Sequence, residues 1–150
     1  MKIFLLEREK ARAQAMRESL NDLGYECQTA ETSQDLGFIF KELNPMLIVS
    51  VHSPPIINAM EVIRQWQQFS PKSFLVIASP DLDLNIACEA TNAHVFAILP
   101  RSYELADLIS LADRLALEVK ETRVKEEQHS RLALEYAKLK TAFEDLRRKS

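Results

Sequence analysis

Apolar and polar positions in the first hundred residues switch repeatedly between a strand-like and a helix-like period. Residues 2–6, Lys-Ile-Phe-Leu-Leu, form a short apolar run that stops at Glu7-Arg8-Glu9, as a buried parallel strand does where it emerges at a sheet edge. From Lys10 to Leu23 the apolar positions Ala13, Met16, Leu20 and Leu23 recur at helical spacing, and Gly24 stands where a left-handed C-terminal cap is needed. Tyr25 to Ala30 alternates as a second strand. Ser33 is then expected to cap a helix carrying Leu36, Ile39, Phe40 and Leu43, which ends before Pro45. Met46 to Val51 is the most continuous apolar run of this region, the expected central strand buried on both faces, and it exits into His52-Ser53-Pro54-Pro55. Met60, Val62, Ile63, Trp66 and Phe69 mark a further helix, Phe74 to Ala78 a fourth strand, Leu84 to Ala93 a helix and Val95 to Leu99 a fifth strand. Five strands alternating with helices require right-handed crossovers and therefore a parallel sheet.

The last third has a different pattern. After Pro100 there is no glycine or proline, and Tyr103 to Lys149 is built from good helix formers. Leu105, Leu108, Ile109, Ala112, Leu115 and Ala116 make the broad stripe of a helix packed on a sheet. Further on the stripe narrows: Leu132, Tyr136, Leu139, Phe143 and Leu146 step by four and three, the a/d seam of a coiled coil. Between the two, Lys120 to His129 is nearly all polar, and the seam carried back in register places Glu118, Thr122, Lys125 and His129 inside, a weak point for pairing. The pattern divides the chain into an α/β head, residues 1–118, and a helical extension, residues 119–150. That extension is expected to pair two copies as a parallel homodimer or to couple the head to a protein partner.

Composition narrows the chemistry. A chain of 150 residues suits one domain with an appendage, and its two glycines, Gly24 and Gly37, exclude a glycine-rich phosphate cradle. Cys27 and Cys88 have neither CxxC spacing nor a nearby histidine, so they read as reduced thiols; no metal site is expected. No carboxylate pattern surrounds His129, which reads as a solvated side chain. No run approaches the roughly 20 apolar residues of a membrane span, and the start turns charged too soon for a secretory signal, so no membrane contact and a cytoplasmic location are expected. The net charge of −3 hides an asymmetry: residues 1–119 carry ten Lys/Arg against sixteen Asp/Glu, and residues 120–150 nine against six. An acidic head and a mildly basic tail imply no nucleic acid contact by the residues present.

The order of these elements, together with Pro45-Met46-Leu47-Ile48-Val49-Ser50-Val51, Pro55, Met60-Glu61-Val62 and Leu99-Pro100, resembles the receiver domain of bacterial response regulators over about residues 1–118. The resemblance implies a flavodoxin-like five-stranded parallel sheet of order 2-1-3-4-5 with its site at the carboxyl ends of the strands. Receiver chemistry needs an aspartate nucleophile after strand three, two acids after strand one to hold Mg²⁺, a hydroxyl after strand four and a lysine after strand five. Carried over, the nucleophile position falls on Val51, or on Ser50 if the loop is one residue shorter. The acid pair falls on Glu7 and Arg8, with Glu9 as a partial substitute, the hydroxyl on Ala78 or Ser79, and the lysine on Leu99. Pro100 follows, so the Leu99–Pro100 bond is expected to be cis, as is usual in the family. The aromatic switch position of strand five falls on Phe96, and the family's output face falls on Ile86, Ala90, Phe96, Tyr103, Leu105 and Leu111.

Phosphoryl transfer rests on positioning and charge stabilisation, so losing the nucleophile, half of the metal pair and the lysine implies a degenerate pocket without aspartyl phosphorylation or cofactor. Ser50, Ser53 and His52 could be imagined as replacement acceptors, but a serine needs an activating base and a phosphohistidine a kinase partner. The expected function is that of a pseudo-receiver, a non-enzymatic signalling module working through protein contacts. Alternatives are the head of a longer output protein of the RNA-binding antiterminator or nucleotide cyclase type, a receiver with an unconventional phosphoacceptor, and a pocket that binds a small ligand in place of phosphate.

Overall fold

The computed structural model describes residues 1–79, 84–100 and 102–149. Each apolar run short enough to be a strand is followed by a helix. The chain order is β1 (Lys2–Leu6), α1 (Lys10–Asp22), β2 (Glu26–Ala30), α2 (Leu36–Leu43), β3 (Leu47–Val51), α3 (Ala59–Phe69), β4 (Phe74–Ser79), α4 (Leu84–Asn92), β5 (Ala97–Pro100) and α5 (Leu105–Lys149). All four strand pairings are parallel, and the sheet runs β2-β1-β3-β4-β5, the flavodoxin-like order expected. Every residue of β3 is buried, because a central parallel strand is covered by helices on both faces. β5, at the edge, buries none of its residues fully, and Ile98 is 48% exposed.

Local signals set most boundaries. Gly24 takes φ +94° in the turn after α1, and the Asn58 side chain caps α3 by accepting from Met60 N at 3.0 Å. Ser33 does not cap α2. That helix starts from Asp35, in left-handed conformation with no side-chain cap bond, while the Ser33 hydroxyl donates to Ile56 O at 3.2 Å. The bond to the loop after β3 takes the hydroxyl that a cap would have used. Gly37 lies where α2 meets α3: a β-carbon there would stand 2.7 Å from the Phe69 ring.

Two details of the fifth strand differ from expectation. It begins at Ala97, so that Phe96 precedes it and its ring meets Phe74 edge-on, centroids 5.5 Å apart, at the amino end of β4. The Leu99–Pro100 bond is trans; the cis bond among the described residues is Pro54–Pro55. Leu99 and Pro100 both continue β5, paired with Ala78 and Ser79.

By internal contacts the chain falls into two units, Met1–Leu108 and Ile109–Ser150. The division lies inside α5, whereas the hydrophobic stripe set it at 118/119. In the second unit the seam residues Leu132, Tyr136, Leu139, Phe143 and Leu146 are 65 to 71% exposed. No helix of the described residues is long and apolar enough to cross a membrane.

Candidate functional site at the carboxyl edge of the sheet

Strand register decides which side chains share the carboxyl edge. Leu6 pairs with Ser50, Val51 with Ala78, and Ala78 with Leu99, while Ser79 pairs with Pro100 in the next row. Val51, Ala78 and Leu99 thus lie side by side on three adjoining strands, and Glu7 follows the last residue of β1. Val51 and Ala78 are fully buried apolar groups. Ser50, also fully buried, turns its hydroxyl to Val51 O at 3.0 Å.

Glu7 is 2% exposed. A carboxylate removed from water needs charge-assisted partners, and Glu7 has three. Its Oε1 accepts from Glu9 N at 3.3 Å; its Oε2 accepts from the Tyr103 hydroxyl at 3.4 Å and stands 3.9 Å from Arg12 Nε. Arg12 closes the cluster: its guanidinium carbon lies 4.7 Å over the Tyr103 ring, and Nη2 donates to Tyr103 O. Burial, and then the Glu7 charge, push the Tyr103 phenol well above its ordinary range, with Arg12 opposing. The phenol therefore stays a neutral donor at physiological pH. Three parts of the fold meet here: the exit of β1, the first turn of α1 and the segment between β5 and α5.

The remaining polar groups of this edge also have partners. Arg8, exposed, donates from Nη1 to Ser53 Oγ at 3.4 Å, linking the loops after β1 and β3. Ser53 and Ile57 exchange backbone hydrogen bonds of 2.8 and 3.0 Å, closing the loop after β3. His52 Nδ1 accepts from Ala59 N, the first residue of α3, at 3.0 Å. Glu9 is exposed, and its backbone rather than its carboxylate serves the cluster. Among the described residues no group of three or more His, Cys, Asp and Glu side chains is placed to hold a metal ion.

The residues of the expected output face differ in exposure. Ile86, Ala90, Tyr103 and Leu111 are buried. Ile86 and Ala90, four apart on α4, are the inward stripe of an amphipathic helix, where apolar spacing identifies core rather than contact surface. Leu105 and Phe96 are half-buried, and Phe96 lies at the end of the sheet opposite the site. The exposed apolar residues of α4 and β5 include Leu84, 74% exposed, and Ile98. Arg12 is the residue that sequence reasoning missed. Its one legible signal is a cation four residues before Met16, at the margin of the buried stripe Ala13, Met16 and Leu20.

No family profile matches the chain, and neither does any curated protein. Solved structures do. A CheY-like response regulator receiver domain protein from Methanospirillum hungatei JF-1 aligns with TM-score 0.71 at 17% identity, covering 80% of this chain and 97% of that one. A response regulator receiver domain protein from Clostridium thermocellum gives 0.70 at 22%, over 81% and 98%. A structure described as adenylate cyclase from Rhodopirellula baltica gives 0.71 at 23%, over 84% and 94%. The fold is that of receiver domains.

Proposed function

We propose that the chain is a degenerate receiver, a regulatory module that acts through protein contacts and helix-mediated dimerisation in the cytoplasm, without aspartyl phosphorylation and without an enzymatic activity of its own. The observation that carries this reading is the state of Glu7. The acid that would help to hold a divalent cation is buried against an arginine and a tyrosine of the same chain, so its charge is already balanced. Beside it, Val51, Ala78 and Leu99 offer neither nucleophile, hydroxyl nor amine, and the seam of α5 supplies a surface for a second copy. Signalling then requires only that a protein partner favour one of two states of the head by about 1–3 kcal/mol.

Incubation with Mg²⁺ and acetyl phosphate, followed by intact mass measurement, tests this. Unchanged mass is expected. A stable phosphoryl adduct that disappears in Ser50→Ala would overturn the reading in favour of an unconventional acceptor, against which stand the burial of Ser50 and the bond of its hydroxyl to Val51 O.

A second reading is favoured by the Rhodopirellula baltica structure, whose description as an adenylate cyclase puts this fold in an output protein. The chain would then be the head of such a protein, of cyclase or antiterminator type, with α5 as its stalk. The complete reading frame of the gene tests this: an output domain following the helix supports it, and a stop codon after Ser150 removes it.

A further inference from the structure

The exposed seam of α5 carries enough detail to fix the orientation of the second copy. Heptad steps run four residues from d to a and three from a to d. The spacing of the seam therefore puts Leu132, Leu139 and Leu146 at d, and Tyr136 and Phe143 at a. Leucine at every d position is the d half of the two-stranded parallel pattern, whose a half is β-branched; here the a positions are aromatic, so the flanking charges carry the choice of orientation. The flanking e positions are Ala133, Lys140 and Arg147; the g positions are Gln128, Glu135 and Ala142. All five seam side chains protrude from one continuous helix and are mostly exposed.

Charge separates the two possible orientations. In a parallel, in-register pair, a g residue meets the e residue five positions later on the other helix, so Glu135 faces Lys140 of the second copy, twice by symmetry. In an antiparallel pair g faces g and e faces e, which brings Lys140 and Arg147 into a ribbon of cations and leaves Glu135 without a basic partner. The small Ala142 at g leaves room beside the aromatic Phe143 layer. Toward the head the register places Lys125 at d, where each copy would set an ammonium against its counterpart, and like charges directly opposed repel.

We infer that α5 pairs with a second copy of itself in parallel and in register from Leu132 to Leu146, that reciprocal Glu135–Lys140 contacts select this orientation, and that pairing does not extend through Lys125. This rests on the proposed dimer and adds to the expected parallel pairing the residues that select it and the point where it stops. The partner is another copy of this chain rather than an unrelated helix, because the same segment carries both the acid and the base that complement each other.

Sedimentation equilibrium of the full chain, of charge variants and of a cysteine variant tests the geometry. Glu135→Lys or Lys140→Glu alone replaces two exposed attractions by two repulsions, which at ordinary surface-pair strength weakens the dimer about tenfold. The double exchange restores affinity to within about twofold of the original if the two residues meet across the interface. In a chain carrying Phe143→Cys and Cys88→Ser, oxidation links two copies through residue 143, since a faces a only in a parallel register. A dimer that neither recovers in the double exchange nor cross-links overturns the orientation while leaving the dimer reading intact, and a trimer or tetramer overturns the two-stranded geometry. A full-length monomer removes both.

Discussion

The buried carboxylate of Glu7 is the most costly group at the carboxyl edge, and its neutralisation depends on Arg12. Removing one partner of a buried pair leaves an uncompensated charge, which costs more than the intact pair contributes. Because the Arg12 side chain keeps 29% of its surface in water, Arg12→Ala should lower stability by about 2–3 kcal/mol, below the figure for a fully enclosed pair. Urea unfolding measures it. Adding Glu7→Leu to Arg12→Ala should recover most of that loss, since no charge is then left stranded. The two cysteines differ in a comparable way. Cys88 is exposed, whereas Cys27 is buried and its thiol is pushed up to about 11 by burial, with Arg17 opposing. A disulfide reagent at pH 8 should therefore modify Cys88 rapidly and Cys27 only after unfolding. The folded value lies above the ordinary 9.0, so the native state holds the proton longer than the unfolded chain does. The stability from Cys27 is complete below pH 9 and is lost as pH rises through 11. Unfolding midpoints of the native chain and of Cys27→Ala, compared at pH 8 and pH 10.5, check the sign.

At the scale of elements, α2 and α3 meet through a missing side chain. Alanine is a better helix former than glycine by about 1 kcal/mol, so Gly37→Ala in an open helix would stabilise. Here the new β-carbon would stand 2.7 Å from the Phe69 ring, and overpacking of this kind costs about 1–3 kcal/mol. The expected result is a net loss of about 1 kcal/mol in thermal or urea unfolding, relieved when Phe69→Leu is added. The helices α4 and α5 differ in what covers their apolar stripes. Apolar residues at helical spacing identify the side that is buried, so Ile86 and Ala90 became core, whereas the narrower seam beyond Leu132 is left exposed.

For the molecule as a whole, the proposed division of labour places balance of charge in the head and association in the tail. Truncation after Glu118 should give a monomeric head, while the full chain sediments as a dimer at micromolar concentration; equal masses for both would remove the dimer. The order of strands and helices was legible in the sequence, because periods of two and 3.6 residues are local properties that each segment carries by itself. Positions along the carboxyl edge were legible only as alternatives, Ser50 or Val51 and Ala78 or Ser79, since a one-residue difference in loop length leaves the hydrophobic pattern unchanged. The register puts Val51, Ala78 and Leu99 in a single row.

The sequence by itself determined the alternation of five strands with five helices, the parallel sense of the sheet, the absence of a glycine-rich cradle and the long final helix with its seam. Tertiary structure decided that Asp35 rather than Ser33 is the N-cap residue of α2, the trans bond before Pro100, the burial of Tyr103, and the meeting of Glu7 with Arg12 and Tyr103. Tyr103 is 96 residues from Glu7 and 91 from Arg12. No local period records contacts at such separations. They exist because β1 and β5, apart in the sheet, both release their chains at the same carboxyl edge, where a buried charge takes whatever partners the packing brings within reach.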